Sequence, residues 1–159
     1  MKSTVLLVFV AAALAQAPAG FEYFPAAKLN SYAASLKAKE PTIQAKSDIK
    51  MMMATETFGD HATFNFVIAR RDENGEPELH ADWNDIFIAK EGEGTLVIGG
   101  KLEGGRTTGP GEIRGGKIVG GRMQKLVPGD MAVIPAGMPH QTNVEKGKSV
   151  FYMVIKVKK

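Results

Sequence analysis

The pattern of apolar and polar positions changes near residue 46. Before this point, the stretch 26–39 places apolar residues three and four positions apart, which is the spacing of one face of an α-helix. Pro25 precedes the stretch and Pro41 follows it, and both prolines favour a helix boundary. We therefore predict one short amphipathic helix, within a lead-in region of residues 16–45.

Beyond the helix, apolar residues recur at every second position in short segments separated by turns. In the segment 61–71, Phe64, Phe66 and Ile68 share one face of a predicted strand, and the intervening residues share the other face. Further strand segments are 49–57, 78–83, 84–92, 94–100, 123–130, 131–137 and 149–158. Many short strands at regular spacing predict an all-β sandwich or barrel, as a single domain over residues 46–159.

A glycine-rich segment interrupts this rhythm at about residues 99–122, where ten of 24 residues are glycine. A phosphate-binding loop would require a G-x-G-x-x-G pattern followed by a helix, and neither is present in the segment. We therefore interpret it as a β-excursion inserted into the barrel domain, either a hairpin or a lid.

The N-terminal residues have the features of a secretory signal peptide. Lys2 precedes an apolar run of residues 5–14, and small residues occupy Ala13 and Ala15, the positions of a signal peptidase site. The run is shorter than a membrane span. We expect a signal peptide of residues 1–15, a periplasmic or secreted protein, and no membrane anchor after cleavage. An apolar helix belonging to the fold is the alternative.

Composition narrows the possible partners and stabilising bonds. The sequence has no cysteine, which excludes disulfides and a lipid anchor on a cleavage-site cysteine. Its formal net charge is +3, and basic and acidic residues are interspersed along most of the chain. Nucleic-acid binding requires a clustered basic face, so we expect no nucleic-acid partner.

Two distant stretches carry side chains that bind metals in proteins. In residues 76–94, Glu78 and His80 are two positions apart and therefore share one face of a strand, and Asp85 follows a predicted bend. In residues 129–143, one of only three histidines, His140, follows a turn that contains two prolines and a glycine. Such a turn restricts the backbone just before the imidazole, which is an advantage for a metal ligand.

These two stretches resemble the two motifs of the cupin superfamily. The first motif is written G-x5-H-x-H-x3,4-E-x6-G, and its last four fixed positions correspond to Glu78, His80, Asp85 and Gly92. The second is written G-x5-P-x-G-x2-H-x3-N, and its matching positions are Gly129, Pro135, Gly137 and His140. Asn143 comes one residue early for the last position of the second motif. The resemblance covers roughly residues 50–157.

The first motif departs from the superfamily pattern in three ways. Glu78 stands where the first histidine is usual, the shorter Asp85 stands where glutamate is usual, and the leading glycine, Gly75, is displaced. The resemblance implies a double-stranded β-helix, or jelly-roll barrel, with one short N-terminal helix. It also implies a metal site of Glu78, His80, Asp85 and His140. Asp82 lies two residues after His80 and would face the same side in a continuous strand, so it is the reserve ligand.

A set of two imidazoles and two carboxylates suits Fe(II), Mn(II) or Zn(II). Four further residues are candidates for the wall of the cavity. His61 and Asn65 have the same parity on their strand, Trp83 lies in the bend before Asp85, and Gln124 ends the glycine-rich segment. A solvent-facing strand end is the favoured interpretation of His61, and plain packing is an equal alternative for Trp83.

Two functions are compatible with these features. The first is an exported metal-binding cupin that acts on a small oxygen-rich molecule by dioxygenase-, isomerase- or lyase-type chemistry. The second is a non-catalytic periplasmic cupin that binds a small ligand, with a metal that is structural or absent. A homodimer is expected in either case, because cupins commonly associate through their sheets.

Overall fold

The computed structural model describes residues 22–39, 53–59 and 61–159 of the chain. The expected signal peptide, residues 1–15, lies outside these described residues. The elements are α1 (Ala26–Lys39), β1 (Met53–Phe58), β2 (Phe64–Arg71), β3 (Glu78–His80), β4 (Trp83–Gly92), β5 (Gly94–Ile98), β6 (Lys101–Glu103), β7 (Arg106–Gly109), β8 (Glu112–Arg114), β9 (Lys117–Val119), β10 (Arg122–Leu126), β11 (Met131–Ile134), β12 (His140–Asn143) and β13 (Val150–Lys158).

Helix α1 spans the range that its apolar spacing predicts. The carbonyl of Pro25 accepts hydrogen bonds from the backbone N–H groups of Lys28 and Leu29, which closes the first turn. Leu36 is completely buried and forms an apolar cluster with Ile68 and Phe151 on the outer face of a sheet. Within the described residues, no helix is long and apolar enough to span a membrane.

The strands form two large antiparallel sheets and one small one. The order in the first sheet is β1-β2-β13-β4-β11, and the order in the second is β10-β5-β12-β3-β8-β7. Strands β6 and β9 pair separately. Each large sheet joins strands that are distant in the sequence, and the two inner faces enclose the core. The prediction of an all-β jelly roll with one short helix is confirmed.

Strand β2 shows how the alternation of side chains divides the two faces of the first sheet. Phe66 and Ile68 share one face, as predicted, and this face packs toward α1. Asn65, Val67 and the other residues of the same parity line a cavity between the sheets. The period of two in the sequence therefore separates the face that binds the helix from the face that lines the cavity.

The space between the sheets is part core and part cavity. Leu96, Leu126, Ile134 and Val150 are almost entirely buried and fill the packed part. Burial of each such side chain contributes roughly 1.5–3 kcal/mol to folding. The unfilled part is an open cavity of about 400 Å³.

The glycine-rich segment is composed of short strands, which agrees with the predicted β-excursion. Its inner hairpin, β7–β8, extends the second sheet beside β3, while β6 and β9 pair at its base. Gly116 has φ of +73°, and a Cβ atom there would lie 2.1 Å from the carbonyl oxygen of Glu103. Only glycine therefore allows this close approach of the two arms of the excursion.

Candidate metal centre

Strand pairing brings the two distant stretches of the sequence together. His140 on β12 lies directly opposite Glu78 on β3, and His80 lies on the same face of β3 as Glu78. The turn before His140 is fixed by backbone hydrogen bonds. The N–H of Gly137 donates to the carbonyl of His80 over 2.7 Å, and the N–H of Gly99 donates to the carbonyl of Pro139 over 2.8 Å.

Both imidazoles are buried and oriented by a hydrogen bond from Nδ1. The Nδ1 of His80 donates to Glu112 Oε2 over 2.6 Å, and the Nδ1 of His140 donates to the Met138 carbonyl over 3.1 Å. In the neutral form of each imidazole, these bonds leave Nε2 as an acceptor. Among the described residues, the buried Nε2 of His140 has no hydrogen-bond partner. A hydrogen bond from one ring nitrogen is the usual way in which proteins orient a histidine that ligates a metal through the other.

Each of two carboxylates is anchored through one oxygen and presents the other to the imidazoles. Glu78 Oε1 is 3.0 Å from Arg71 and 2.9 Å from Arg114, whereas its Oε2 is 3.5 Å from His80 Nε2. Asp85 Oδ1 accepts a hydrogen bond of 2.5 Å from Lys156.

The other oxygen of Asp85 completes the cluster. Asp85 Oδ2 lies 3.5 Å from His80 Nε2 and 3.7 Å from His140 Nε2. Each imidazole Nε2 therefore has a carboxylate oxygen within 3.7 Å, and Asp85 lies beside the group formed by Glu78, His80 and His140. The shorter side chain of Asp85 still reaches the imidazoles, because β4 carries it inward at the level of the histidines.

The donor set fits one divalent transition-metal ion. The ligand atoms of Glu78, His80 and His140 all lie within 4.8 Å of one another. Metal–ligand bonds of about 2.0–2.2 Å place neighbouring donor atoms roughly 3 to 3.5 Å apart. The distances of 3.5 Å and 3.7 Å from Asp85 Oδ2 to the imidazoles therefore require only a small contraction around an ion. Fe(II), Mn(II) and Zn(II) accept this mixture of imidazole and carboxylate ligands.

The surroundings of the site favour the ionised carboxylate of Glu78 and the neutral imidazole of His140, but they favour the protonated imidazole of His80. Burial raises the pKa of Glu78, but the hydrogen bond with His80 and the charges of Arg114 and Arg71 outweigh it and hold the pKa well below its usual range. Burial lowers the pKa of His140, which keeps its imidazole neutral. For His80, burial is outweighed by the hydrogen bond with Glu78 and by nearby carboxylates, so the pKa is raised.

Two of the predicted cavity residues lie in the cavity wall. Trp83 and Asn65 both line the cavity, Trp83 at the start of β4 and Asn65 on β2. The Oδ1 atom of Asn65 is buried and has no hydrogen-bond partner in the part of the chain that the structure describes.

Three other candidates, Asp82, His61 and Gln124, do not line the cavity. Asp82 is exposed in the turn between β3 and β4, because this turn breaks the alternation that begins at His80. His61 lies before β2, stacks on Phe64 and is 3.0 Å from Glu22, which agrees with the favoured interpretation as a strand end. Gln124 is exposed on the edge strand β10.

Four charged residues of the site are missed by the sequence interpretation, namely Arg71, Glu112, Arg114 and Lys156. Their sequence signal is weak, because each becomes significant only through a cross-strand neighbour. Glu112 pairs with His80, and Lys156 pairs with Asp85. The glycine-rich segment thus supplies part of the site.

No family model matches this sequence, and no curated protein matches it. Solved structures do share its fold. The DMSP lyase DddQ from Ruegeria pomeroyi is 14% identical and superposes with a TM-score of 0.51, over 71% of this chain and 50% of that one. A sugar phosphate isomerase from a cupin superfamily, from Silicibacter pomeroyi, is 19% identical with a TM-score of 0.46, over 67% and 60%.

The polyketide cyclase RemF from Streptomyces resistomycificus is 18% identical with a TM-score of 0.48, over 66% of this chain and 64% of that one. In each of these three comparisons the chain spans less than two thirds of the other protein. The architecture, together with the superposition on DddQ, shows a cupin-type fold. Within that fold, Glu78, His80 and His140 form a group suited to hold a metal ion.

Proposed function

We propose that this protein is a metal-dependent cupin enzyme acting on a small oxygen-rich molecule. One divalent ion would be held by Glu78, His80, Asp85 and His140. The observation that carries the proposal is the buried Nε2 atom of His140, which has no hydrogen-bond partner among the described residues and faces Asp85 Oδ2 at 3.7 Å. A buried polar atom without a partner is costly, and a metal ion would satisfy it.

The residues around the donor set support chemistry beyond metal storage. A bound divalent ion supplies Lewis acidity toward a carbonyl or hydroxyl oxygen. Lys156 holds a proton on Nζ beside Asp85, at the cavity wall, where isomerase- and lyase-type reactions need a group that moves protons. Phe87 and Trp83 add apolar surface to the wall and reduce the access of water. Dioxygenase-type chemistry fits the same ligand set.

Metal analysis tests the proposal most directly. Protein purified without added metal should contain about one equivalent of Fe, Mn or Zn per chain. The double variant His80→Ala with His140→Ala should contain almost none. Asp82→Ala is the matched control, since it removes an exposed carboxylate next to the site but outside the cavity. Substoichiometric metal in the unaltered protein would contradict the proposal.

A non-catalytic binding protein is the second candidate function. It is favoured by the ion pairs of Glu78 with Arg71 and Arg114 and of Asp85 with Lys156, which neutralise the carboxylates without any ion. Proton relaxation of water, measured on protein loaded with Mn(II), separates the two candidates. An enzyme should show exchangeable water on the ion, and a closed structural site should show none.

Export of the protein is also a proposal. It is supported by the apolar run and small residues of the segment 1–15. Expression of the full sequence in a Gram-negative host should place the protein in the periplasm, and N-terminal sequencing should begin at Gln16. A cytoplasmic product that keeps Met1 would contradict it.

We also propose that the protein forms a homodimer. Met131 and Val133 on the edge strand β11 are 67% and 61% exposed, and their cross-strand neighbours Ile88 and Ile86 continue the apolar surface inward. A second copy is the occupant that would cover this edge, because the apolar rows run to its margin and, among the described residues, no strand of the sheet pairs with the outer side of β11. Light scattering should give twice the chain mass. Val133→Glu should halve it, and Val119→Glu, on strand β9, should not.

A further inference from the structure

In the absence of a metal, the formal charges of the side chains in the cavity wall sum to zero. Arg71, Arg114 and Lys156 contribute three positive charges, and Glu78, Asp85 and Glu112 contribute three negative ones. A divalent ion bound to neutral imidazoles would therefore leave an excess of two positive charges. Such an excess on the wall of a cavity attracts an anion.

We infer that the natural ligand of this cavity is a small hydroxycarboxylate, whose carboxylate binds Arg114 and whose hydroxyl donates to Asn65. This inference rests on the proposed function, since it names the class of molecule on which the metal site acts. It adds Arg114 and Asn65, which lie outside the metal-ligand set and line the same cavity from different sheets.

Arg114 is the cation of the wall with donors to spare. A guanidinium has five N–H donors, and the structure gives Arg114 a single ion pair, from Nη1 to Glu78, among the described residues. Its side chain is 31% exposed. Arg71, in contrast, is buried and uses Nε on Tyr152 and Nη2 on Glu78. The remaining N–H groups of Arg114 can bind a carboxylate through two parallel hydrogen bonds.

Asn65 supplies an independent observation on the facing sheet. It lines the cavity on β2, where its cross-strand neighbour is Lys156, and its buried Oδ1 lacks a hydrogen-bond partner among the described residues. An acceptor in this position is available to a donor from the ligand. A hydroxyl group supplies that donor, which separates a hydroxycarboxylate from a simple carboxylate.

The volume of the cavity limits the ligand to a small molecule. At about 400 Å³ it lies near the lower end of the range for small-molecule sites, roughly 300–1,000 Å³. Apolar residues such as Val67 and Val154 form part of the wall and give a short carbon chain a surface to contact. A four-carbon acid such as malate is therefore a suitable probe.

Binding of malate to the metal-loaded protein tests the inference. Trp83 is the only tryptophan and lines the cavity, so its fluorescence reports binding, and calorimetry provides a second measurement. We expect malate to bind, succinate to bind more weakly because it lacks the hydroxyl, and the neutral diamide of malate not to bind. Without metal, the affinity for malate should fall.

Variants of two cross-strand neighbours provide the matched comparison. Arg114→Gln should weaken malate binding roughly 10- to 100-fold, the usual effect of removing a hydrogen bond to a charged group. Arg106 lies opposite Arg114 in the same hairpin but pairs with Glu76 and does not line the cavity. Arg106→Gln should therefore leave the affinity unchanged. Arg114→Lys, which keeps the charge beside Glu78, should retain metal and lose part of the malate affinity.

Measuring the metal content of every sample distinguishes failure of the proposed metal site from failure of the proposed hydroxycarboxylate ligand. Protein that holds metal but binds malate and its diamide equally would overturn the inference and leave the proposed function intact. Equal malate affinities for Arg114→Gln and Arg106→Gln would also overturn it. Protein that holds no metal would refute the proposed function, and malate affinity independent of metal would refute the charge argument.

Discussion

Glu112 and His80 are 32 positions apart in the sequence and lie opposite each other across β3 and β8, with 2.6 Å between Oε2 and Nδ1. This pair joins the glycine-rich excursion to the candidate metal centre. The excursion is therefore part of the wall of the site, and its two inner strands orient one of the imidazoles that face the proposed ion.

Removal of the Glu112 carboxylate should weaken metal binding without unfolding the protein. Glu112→Ala should lower the metal affinity roughly 10- to 100-fold, because the imidazole of His80 loses the acceptor that orients it. Glu103→Ala, in the same excursion but paired with lysines at the surface, is the control and should bind metal normally. Competition with a chromogenic chelator measures both. Equal affinities would show that the hydrogen bond has no orienting role.

Lys156 should be important for the stability of the metal-free protein. Lys156→Met leaves the charge of Asp85 buried without its cation, which typically costs about 3–5 kcal/mol. Bound metal should restore much of this loss, because the ion takes over the neutralising role. Denaturant unfolding with and without metal measures the effect. Lys90→Met, at an exposed position of β4, should change stability little.

Titration of His80 should make the metal-free protein less stable as pH rises and should make metal binding stronger. Its pKa is raised above the ordinary 6.5, so the protonated imidazole stabilises the metal-free fold below pH 6.5, and this contribution is lost as pH rises through the raised pKa. A metal competes with the same proton, so metal affinity should increase over that window. Unfolding and metal titrations between pH 6 and 9 test both signs. His80→Asn should abolish both dependences, and His61→Asn should preserve them.

The glycine-rich excursion should depend on the close packing at Gly116 for its stability and for the position of β8. Gly116→Ala introduces a Cβ atom 2.1 Å from the Glu103 carbonyl oxygen, whereas a Cβ at Gly120 meets nothing within 4 Å, although both glycines have similar positive φ. Gly120→Ala should cost about 1–2 kcal/mol from φ alone, and Gly116→Ala should cost more. Only Gly116→Ala should also reduce metal affinity, because it displaces β8. Similar losses in both variants would contradict this interpretation.

Much of the architecture was predictable from local patterns. The spacing of apolar residues predicts helix 26–39 at its observed bounds. The period of two separates the helix-packing face of β2 from its cavity face. The spacing within the two motif-like stretches places Glu78 and His80 on one face and positions His140 after a rigid turn. These features depend on backbone geometry over a few residues, so neighbouring residues in the sequence carry the information.

The remaining parts of the site depend on which strands become neighbours. Nothing in the order of residues indicates that β8 pairs with β3, which brings Glu112 to His80 and Arg114 to Glu78. Because local spacing carries no information on these pairings, it predicts Asp82 and Gln124 as site residues, although both lie outside the cavity. Local periodicity reports which face a side chain shares with its near neighbours. The register between distant strands follows from packing the whole core, so only the tertiary structure decided which charged groups meet around the two histidines.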